Sequence, residues 1–445
     1  MKSKRLVPLA AAIAAALSAA PASAQSLLAL YEAARGQDAA WQSAKAQYDA
    51  NLARADQARA AILPSASLSS SYSRSHSDIG GIPTGPGNPN AYNTFNTTLT
   101  ATQPLYRPAN WATYEQGKRQ VQLAEAQLTG AQQDLIVRVS QAYFDVLAAQ
   151  DTLEFVKAQK AAVGEQLASA KRNFEVGTAT ITDTREAQAR YDLGNAQEIA
   201  AENDLRVKKL ALESLVGQKN VQPVSVAAPL QLAPPEPADP EAWVALADNA
   251  NPTIQVARTN LEIAKLETDK AKAGHKPTLD AQASYTNLHN IGGSSGSNLG
   301  TQPRVATAGV VLTVPLFAGF ATQNRVRETL SLEQKAEADL DNARRTVAQA
   351  TRAAYLGLVS GQGQVRALEA AEASSQSALD ANRLGYQVGV RINIDVLNAQ
   401  SQLYQTKRDL AQARYNVLLG QLKLRQANGT LVPEDLARLN ALLTK

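Results

Sequence analysis

The chain of 445 residues contains no cysteine, one methionine and three histidines, and aromatic side chains make up only 5% of it. The absence of cysteine excludes a disulfide framework, thiolate metal sites, a cysteine nucleophile and a lipid-modified cysteine at a processed N-terminus. Long hydrophobic runs are also missing after Gln25, where the apolar stretches span only a few residues. Because a membrane-crossing helix requires roughly 18 to 20 apolar residues, we expect no such helix in the mature chain.

The first 24 residues have the three parts of a secretory signal peptide. A basic start is followed by an apolar run from Leu6 to Ala20, and Ala22-Ser23-Ala24 fits a cleavage site. Cleavage would remove three basic residues and no acidic one, which leaves 41 basic and 40 acidic residues in the mature chain. A nearly neutral chain without a long basic run is not expected to bind nucleic acid.

Enzyme motifs are not evident in the sequence. His76, His275 and His289 belong to no paired-histidine metal motif and to no pattern around a nucleophilic serine. The glycines between residues 80 and 87 are interrupted by two prolines and no lysine follows them, so they do not form a phosphate-binding loop. We therefore expect no catalytic residues, no cofactor and no metal site.

Two similar halves follow each other along the chain, and such repeats are typical of a duplicated fold. Residues 40–216 align with residues 253–428 at an offset of 211 to 213, and the matches pair Pro64 with Pro277, Pro104 with Pro315, Tyr143 with Tyr355, Val176-Gly177 with Val388-Gly389, and Asp183 with Asp395. Residues 217–242 contain six prolines, which helix interiors and central strands disfavour. The prediction is a first repeat over 25–216, a linker over 217–242, a second repeat over 243–430 and a C-terminal tail over 431–445.

Within each repeat, two stretches alternate between apolar and polar side chains, as strands with one apolar face do. The clearest is 278–286, where Leu279, Ala281, Ala283 and Tyr285 alternate with polar residues. The predicted strands lie at about 65–77, 93–106, 278–290 and 304–317. Loops rich in Gly, Pro, Ser and Asn connect each pair, over 78–92 and 291–303.

Long segments after each strand pair, 108–176 and 320–388, favour helix by composition. Apolar residues recur there every seven positions, as at Val121, Leu128 and Leu135, which is typical of coiled-coil packing. The Val-Gly pairs at 176 and 388 are expected to end one helix and begin its return partner, so each repeat is predicted to carry a long helical hairpin.

Strands of about 9 to 13 residues with one apolar face match the dyad pattern of outer-membrane barrels. Four strands cannot close a barrel, because the smallest have about eight strands and open edges are not tolerated in lipid. Several chains would therefore contribute strands. Aromatic residues cluster near the strand ends, where an interfacial belt would lie: Tyr72, Tyr92, Phe95, Tyr106, Trp111, Tyr114, Tyr285, Phe317 and Phe320. Periodicity alone leaves a second interpretation open, a soluble sheet with these aromatics in its core.

Several motifs of the chain resemble the TolC family of outer-membrane efflux and secretion channels. These are the tandem duplication, the strand-exit turns Gln103-Pro104-Leu105-Tyr106 and 314–319, the stretch from Gly385 to Arg391 through Asp395-Val396-Leu397, and the runs 411–416 and 428–431. The resemblance covers essentially the whole mature chain. It implies an α+β membrane protein with two tandem structural repeats. Three protomers would each give four strands to one 12-stranded outer-membrane β-barrel, which a long α-helical coiled-coil barrel would continue across the periplasm.

By the same resemblance, the protein is expected to be a homotrimeric exit duct in the outer membrane, in contact with its lipid. It would serve a tripartite efflux pump or a type I secretion system. It would open at its helical tips when a periplasmic adaptor (membrane fusion) protein and an inner-membrane transporter recruit it. The transporter would be either ABC-type or proton-driven. The alternative is a structural periplasmic coiled coil or a surface adhesin without transport. That alternative explains the helices but not the duplicated pairs of half-apolar strands.

The resemblance also implies roles for residues at the helical tips. A periplasmic gate would pair Tyr386 with Asp183, and Arg391 with Thr182 and Asp183. A pore-entrance ring would consist of Asp395 and Asn398. Family members of the closest type carry a second aspartate at the position of Asn398, so we expect cations to block this channel less strongly. The turns Val176-Gly177-Thr178 and Val388-Gly389-Val390 would dock the adaptor. Judged on the residues alone, the two aspartates are also ordinary helix N-terminal residues and the two turns are only turns.

Overall fold

A computed structural model describes residues 25–76, 91–226, 233–293 and 299–442 of the chain. The predicted signal peptide and parts of both predicted inter-strand loops lie outside these residues. The first half contains α1 (Leu27–Gln37), α2 (Ala39–Ala60), β1 (Ser65–His76), β2 (Ala91–Tyr106), α3 (Pro108–Glu175) and α4 (Ile181–Val216). The second half contains α5 (Pro240–Ala250), α6 (Pro252–Ala273), β3 (Thr278–Ile291), β4 (Arg304–Thr313), α7 (Ala321–Gln387), α8 (Asn393–Ala427) and α9 (Pro433–Asn440). Across the described ranges, no helix is both long enough and apolar enough to cross a membrane.

The structure departs from the predicted segments by more than two residues at three places. Strand β4 ends at Thr313 instead of 317, because Pro315 has no N–H with which to continue the hydrogen-bond ladder. The linker ends before 242, since Asp239 caps helix α5 and Pro240 occupies its first turn, where proline is tolerated. The predicted C-terminal tail instead forms α9, whose Leu436 and Leu439 are buried.

The four strands form one antiparallel sheet in the order β1-β2-β3-β4. The register places Leu68 opposite Leu99, Leu99 opposite Tyr285, and Tyr285 opposite Ala306, so one row of apolar side chains crosses all four strands. Leu68 is 70% exposed and Leu99 49% exposed in the isolated chain. The sheet therefore presents an uncovered apolar face, unlike the soluble sheet that periodicity left open.

Hydroxyl and amide side chains occupy the opposite face of the sheet. They include alternate serines of β1 from Ser65 to Ser73 and alternate residues of β2 from Thr94 to Thr102. Thr98 and Thr286 hydrogen-bond across the strands at 3.2 Å between their Oγ1 atoms, and Thr94 donates to Asn290 at 3.2 Å. One face is thus suited to lipid and the other to water.

An ion pair that the sequence did not reveal joins the end of β2 to β3. The Arg107 guanidinium donates to Asp280 through Nε at 2.7 Å and through a terminal nitrogen at 2.5 Å. Asp280 is only 4% exposed, and the register of the two strands shifts between Pro104 and Tyr106. A two-point contact of this kind fixes the orientation of both side chains, so it anchors the start of β3 against the exit of β2.

Packing divides the chain into two units. Among the described residues, one unit contains the strands with residues 46–126 and 255–342, and the other contains residues 25–45, 127–254 and 343–442. The second unit has a core in which α1 packs against α4 and α9, and to which α3 and α8 also contribute. Its fully or almost fully buried residues include Leu27, Tyr31, Leu135, Ile136, Leu147, Leu212, Leu418, Leu422 and Leu436. Helices near both ends of the sequence therefore share one core.

The chain just after α8 is held by hydrogen bonds to its backbone. Gln133 donates to the carbonyl oxygens of Gly429 at 2.9 Å and Leu431 at 3.2 Å, and Asn251 donates to that of Ala427 at 2.8 Å. Gly429 has a φ of 80°, and a Cβ atom at this position would lie 2.3 Å from the Cα of Asn251. Only glycine fits both the conformation and the space here.

A partly buried tyrosine–aspartate pair links α3 to α8 in the same unit. Tyr415 donates its hydroxyl hydrogen to Asp151 at 2.6 Å and stacks on Phe144 with ring centroids 5.8 Å apart. Burial raises the pKa of Asp151, and the hydrogen bond from Tyr415 opposes that rise. Because the folded pKa lies above that of the unfolded chain, the stabilising contribution of Asp151 is complete below the unfolded pKa and is lost as pH rises through the folded pKa.

Gly429→Ala is expected to lower the free energy of unfolding by about 3 kcal/mol or more, since the methyl group adds overpacking to the cost of a left-handed backbone. Gly177→Ala is the matched control. Its φ is 78°, and no atom lies within 4 Å of the added methyl, so only the conformational cost of about 1–2 kcal/mol applies. Denaturation followed by circular dichroism measures both. Equal losses would contradict the packing constraint.

Asp151→Asn is expected to gain stability relative to the wild type as pH rises from about 4 to about 8, because the amide avoids the cost of a buried ionised carboxylate. Tyr415→Phe should do the opposite, with a larger loss at pH 8 than at pH 4, since ionised Asp151 then lacks its donor. Midpoints of thermal unfolding across this pH range test both variants. Differences from the wild type that do not change with pH would refute this role of Asp151.

Candidate functional site

The turns that connect α3 to α4 and α7 to α8 have the same backbone geometry. Gly177 and Gly389 adopt φ values of 78° and 79°. In the first turn Thr178 N–H donates to the carbonyl of Asn173 at 2.8 Å, and in the second Val390 N–H donates to that of Gly385 at 2.9 Å. Both turns also have the inner bond from the glycine N–H to the carbonyl three residues earlier. This is the Schellman motif in both repeats, so the duplication extends to individual hydrogen bonds.

Apolar side chains are exposed at both turns. Val176 is 74% exposed, Val388 65%, Val390 75% and Ile392 61%. Clusters of exposed apolar residues on an otherwise polar surface are typical of contacts with another protein. Both turns therefore expose apolar residues of this kind, and docking of an adaptor at them stays a prediction.

The return helices begin differently in the two repeats. Thr180 caps α4 in a reciprocal arrangement: its N–H donates to Asp183 Oδ2 at 3.0 Å, and Asp183 N–H donates to the Thr180 hydroxyl at 3.3 Å. In the second repeat the N-cap residue is Ile392, which makes no side-chain cap. The duplicated aspartates therefore have different environments. Asp183 is a capping residue, whereas Asp395 lies 3.7 Å from the guanidinium of Arg391.

Within one chain, the predicted gate pairs are not formed. Tyr386 packs against Leu379, Val396 and Leu403, and its hydroxyl accepts a hydrogen bond from Asn173 at 3.5 Å. Arg391 contacts Asp395 instead of Asp183, and Thr182 is exposed. The pairing of these residues stays a prediction for the assembled protein.

Asn393 joins the two hairpins of the chain, and the sequence analysis missed it. Its side chain is fully buried. It donates to the carbonyl oxygen of Asp183 at 3.3 Å and accepts from the amide of Gln166. The equivalent position in the first repeat is Ile181. The signal available in the sequence was this exchange of an apolar residue for an amide between the repeats. Buried amides are usually hydrogen-bonded, so Asn393 could have been recognised as a contact residue.

Asn398, which is predicted to lie at the pore entrance, also has a partner that was not predicted. Its side-chain oxygen accepts from a terminal nitrogen of Arg190, on α4, at 3.0 Å. A carboxylate is therefore absent where the resemblance implied a ring of acidic charge, and a guanidinium is in contact with the amide that replaces it. Arg391 also lies close to Asp395 and partly neutralises its carboxylate. The negative charge on this face of α8 is therefore further reduced.

In the described part of the chain, no group of three or more histidine or acidic side chains is placed to hold a metal ion. The three histidines are exposed. The arrangement at the turns is thus one of capping groups, exposed apolar residues and charged side chains, which suits contacts between proteins and the passage of ions.

Comparison with known proteins matches both halves of the chain to one family. The profile of the family described as outer membrane efflux protein matches residues 30–218 and 243–430. The chain is 33% identical to the outer membrane protein TolC of Vibrio cholerae over 438 residues, which cover 98% of both chains. It is 32% identical to the proteases secretion protein PrtF of Dickeya chrysanthemi over 431 residues, or 96% of this chain and 92% of the relative.

Solved structures support the same assignment at the level of the fold. The outer membrane protein VceC of Vibrio cholerae superposes with a TM-score of 0.76 at 20% identity, covering 91% of this chain and 96% of that one. The predicted family and fold class are confirmed, and the relatives named above carry the names of outer-membrane and secretion proteins. The chain belongs to the outer membrane efflux protein family, whose members are channels of the outer membrane.

Proposed function

We propose that three copies of this chain form the exit duct of a tripartite efflux pump or a type I secretion system. The observation that carries this proposal is the open four-stranded sheet. Among the described residues, no strand pairs with the outer edge of β1 or of β4. Each unpaired backbone group in lipid costs several kcal/mol, so neighbouring copies must supply the missing strands. Three copies provide twelve strands, more than the about eight that the smallest closed barrels have.

The two faces of the sheet support a position in the membrane. The exposed apolar face suits lipid, and the serine and threonine face suits a water-filled lumen. The strands contain 12, 16, 14 and 10 residues, enough for the about 9–11 residues that a tilted strand needs to cross a bilayer. Aromatic pairs follow β2 and β4, Trp111 with Tyr114 and Phe317 with Phe320, and they suit the lipid–water interface.

The exposed apolar turns support docking of a periplasmic adaptor, which would connect the duct to an inner-membrane transporter, ABC-type or proton-driven. The relatives are named for protease secretion and for efflux, and both processes need an energy source outside the channel. In this proposal the chain itself is a passive duct without enzymatic activity.

Contacts of the gate residues support a closed state held between protomers. Both hydrogen bonds that Thr180 donates to the Asp183 carboxylate go to Oδ2, so Oδ1 is available to another partner. The Arg391 side chain is 58% exposed, and Tyr386 contributes its hydroxyl to a single long contact. Both side chains can therefore reach Asp183 and Thr182 of a neighbouring hairpin. A few charge-assisted bonds per protomer are enough to bias a two-state opening.

A Tyr386→Phe, Arg391→Ser double variant is expected to show a severalfold larger single-channel conductance than the wild type in planar bilayers, because the bonds that keep the tips together are removed. Arg383→Ser is the matched control, since Arg383 is also an exposed arginine near the end of α7. It should leave the conductance unchanged. A double variant that conducts like the wild type would refute the gate but not the duct, and a wild type that forms no channel would refute the duct.

Val176→Glu combined with Val390→Glu is expected to abolish export in cells while the purified protein keeps its conductance, because charged side chains at both turns oppose apolar docking. Ile199→Glu is the control, since Ile199 is 70% exposed on α4 and outside both turns. Substrate export and adaptor cross-linking are the readouts. Normal export by the double variant would contradict docking at these turns.

A further inference from the structure

A basic groove lies between α3, α4 and α8, next to the pore-entrance residue Asn398. It is a cavity of about 400 Å³. Each helix contributes one cationic side chain, Lys160 from α3, Arg190 from α4 and Arg408 from α8, and amide side chains such as Gln159 and Gln405 lie between them. These residues come from parts of the sequence far from one another, so no motif reveals the groove.

Two of the three positive charges in the basic groove are not compensated. Lys160 donates to Glu198, and this contact lowers the pKa of Glu198, so the two groups form a neutral pair. Arg190 donates to the amide oxygen of Asn398 and Arg408 to that of Gln405. Of the acidic side chains that the structure describes, none lies within salt-bridge distance of either guanidinium.

Arg408 also has a donor without an acceptor. Its Nε is buried and has no hydrogen-bond partner. A buried donor left unsatisfied is unfavourable, and an acceptor oxygen toward which the Arg408 side chain turns would remove that penalty. Guanidinium groups bind carboxylates and phosphates through paired N–H bonds, so the composition of the groove selects that kind of ligand.

The basic groove continues the face of α8 that carries the pore-entrance residues. Asp395, Asn398, Gln402 and Gln405 are three or four positions apart and share one face of the helix. Asn398, Gln402 and Gln405 line the groove. If Asp395 and Asn398 face the pore, the groove is open to the same space.

We propose that the basic groove is an anion-binding site in the wall of the pore entrance, and that it binds carboxylate or phosphate groups of small multivalent anions. Its position at the pore rests on the proposed function, whereas binding itself does not. Asn398 contributes to this site directly. Its neutral oxygen positions Arg190 without neutralising its charge, which an aspartate would do.

Titration of the purified protein in detergent with sodium tripolyphosphate, followed by calorimetry, tests the binding. The Arg190→Gln, Arg408→Gln double variant is expected to bind at least tenfold more weakly than the wild type at matched ionic strength. The matched control is Arg185→Gln combined with Arg383→Gln, which removes the same charge from exposed arginines outside the groove. Its affinity should stay within twofold of the wild type. Citrate in place of tripolyphosphate tests carboxylate binding.

Asn398→Asp keeps both arginines and is also expected to weaken binding, because the new carboxylate pairs with Arg190. It guards against a double variant that fails to fold. A wild type without saturable binding overturns the proposal. A control that loses as much affinity as the double variant also overturns it, since binding would then reflect net charge alone. A neighbouring protomer that fills the groove in the assembled protein would overturn it as well.

Tripolyphosphate added at the periplasmic side of a planar bilayer tests the position of the site. We expect it to reduce the current through the wild-type channel. The reduction of the current through the double variant should be at least tenfold smaller at the same concentration. Binding in detergent without block of the current supports the anion site and refutes its position at the pore. A wild type that binds tripolyphosphate but forms no channel refutes the proposed duct and leaves the anion site established by calorimetry.

Discussion

Unpaired backbone groups along β1 and β4 are the constraint on which the rest of this protein depends. A single chain makes a sheet with two open edges and one exposed apolar face. Open strand edges are unfavourable in lipid, and an exposed apolar face is unfavourable in water. In the proposed trimer, closure by other copies would solve both problems together, because it would pair the edges and turn the apolar face outward into the membrane. The Arg107–Asp280 pair then has a clear role. It fixes the exit of β2 against β3 within each copy, so that only the outer edges are left to pair.

Duplication supplies the backbone, and divergence between the repeats supplies the chemistry. The two Schellman turns match bond for bond, yet the residues that follow them differ. Thr180 forms a capping box with Asp183, whereas its counterpart Ile392 forms none and is exposed. Asn393 is buried between the hairpins where the first repeat has Ile181. The backbone tolerates these differences because a helix start requires a particular conformation and not a particular side chain.

Local features of this chain were predictable from its sequence, and contacts between distant segments were not. The prolines and the two-residue alternation placed the four strands to within a few residues at almost every end, and the Val-Gly pairs placed both turns, because these signals act over a few neighbouring positions. The end of β4 was wrong by four residues, since alternation continues past the point where Pro315 interrupts the ladder. Helix α9 was missed because a segment this short is not stable as a helix by itself. It is stabilised by the burial of its leucines in the core, which the sequence does not reveal. Asn393, Asp280 and Arg190 have partners more than 170 residues away, and no local pattern identifies such pairs.

At the entrance of the proposed duct, an amide in place of a carboxylate at position 398 removes one negative charge and also leaves the charge of Arg190 without a counter-ion. A carboxylate in contact with Arg190 would form an ion pair, and both charges would then be largely hidden from a passing ion. With an amide at this position, the guanidinium keeps its orientation and its full charge. Three copies of the chain would repeat the effect around one axis, so the field at the entrance becomes less negative at the aspartate positions and more positive beside them. Such a field favours anions in the entrance and is screened by salt over about 10 Å at 0.1 M ionic strength. In the proposed duct, the ion preference of the entrance would therefore depend on the contact between two hairpins and not on the residue at position 398 alone.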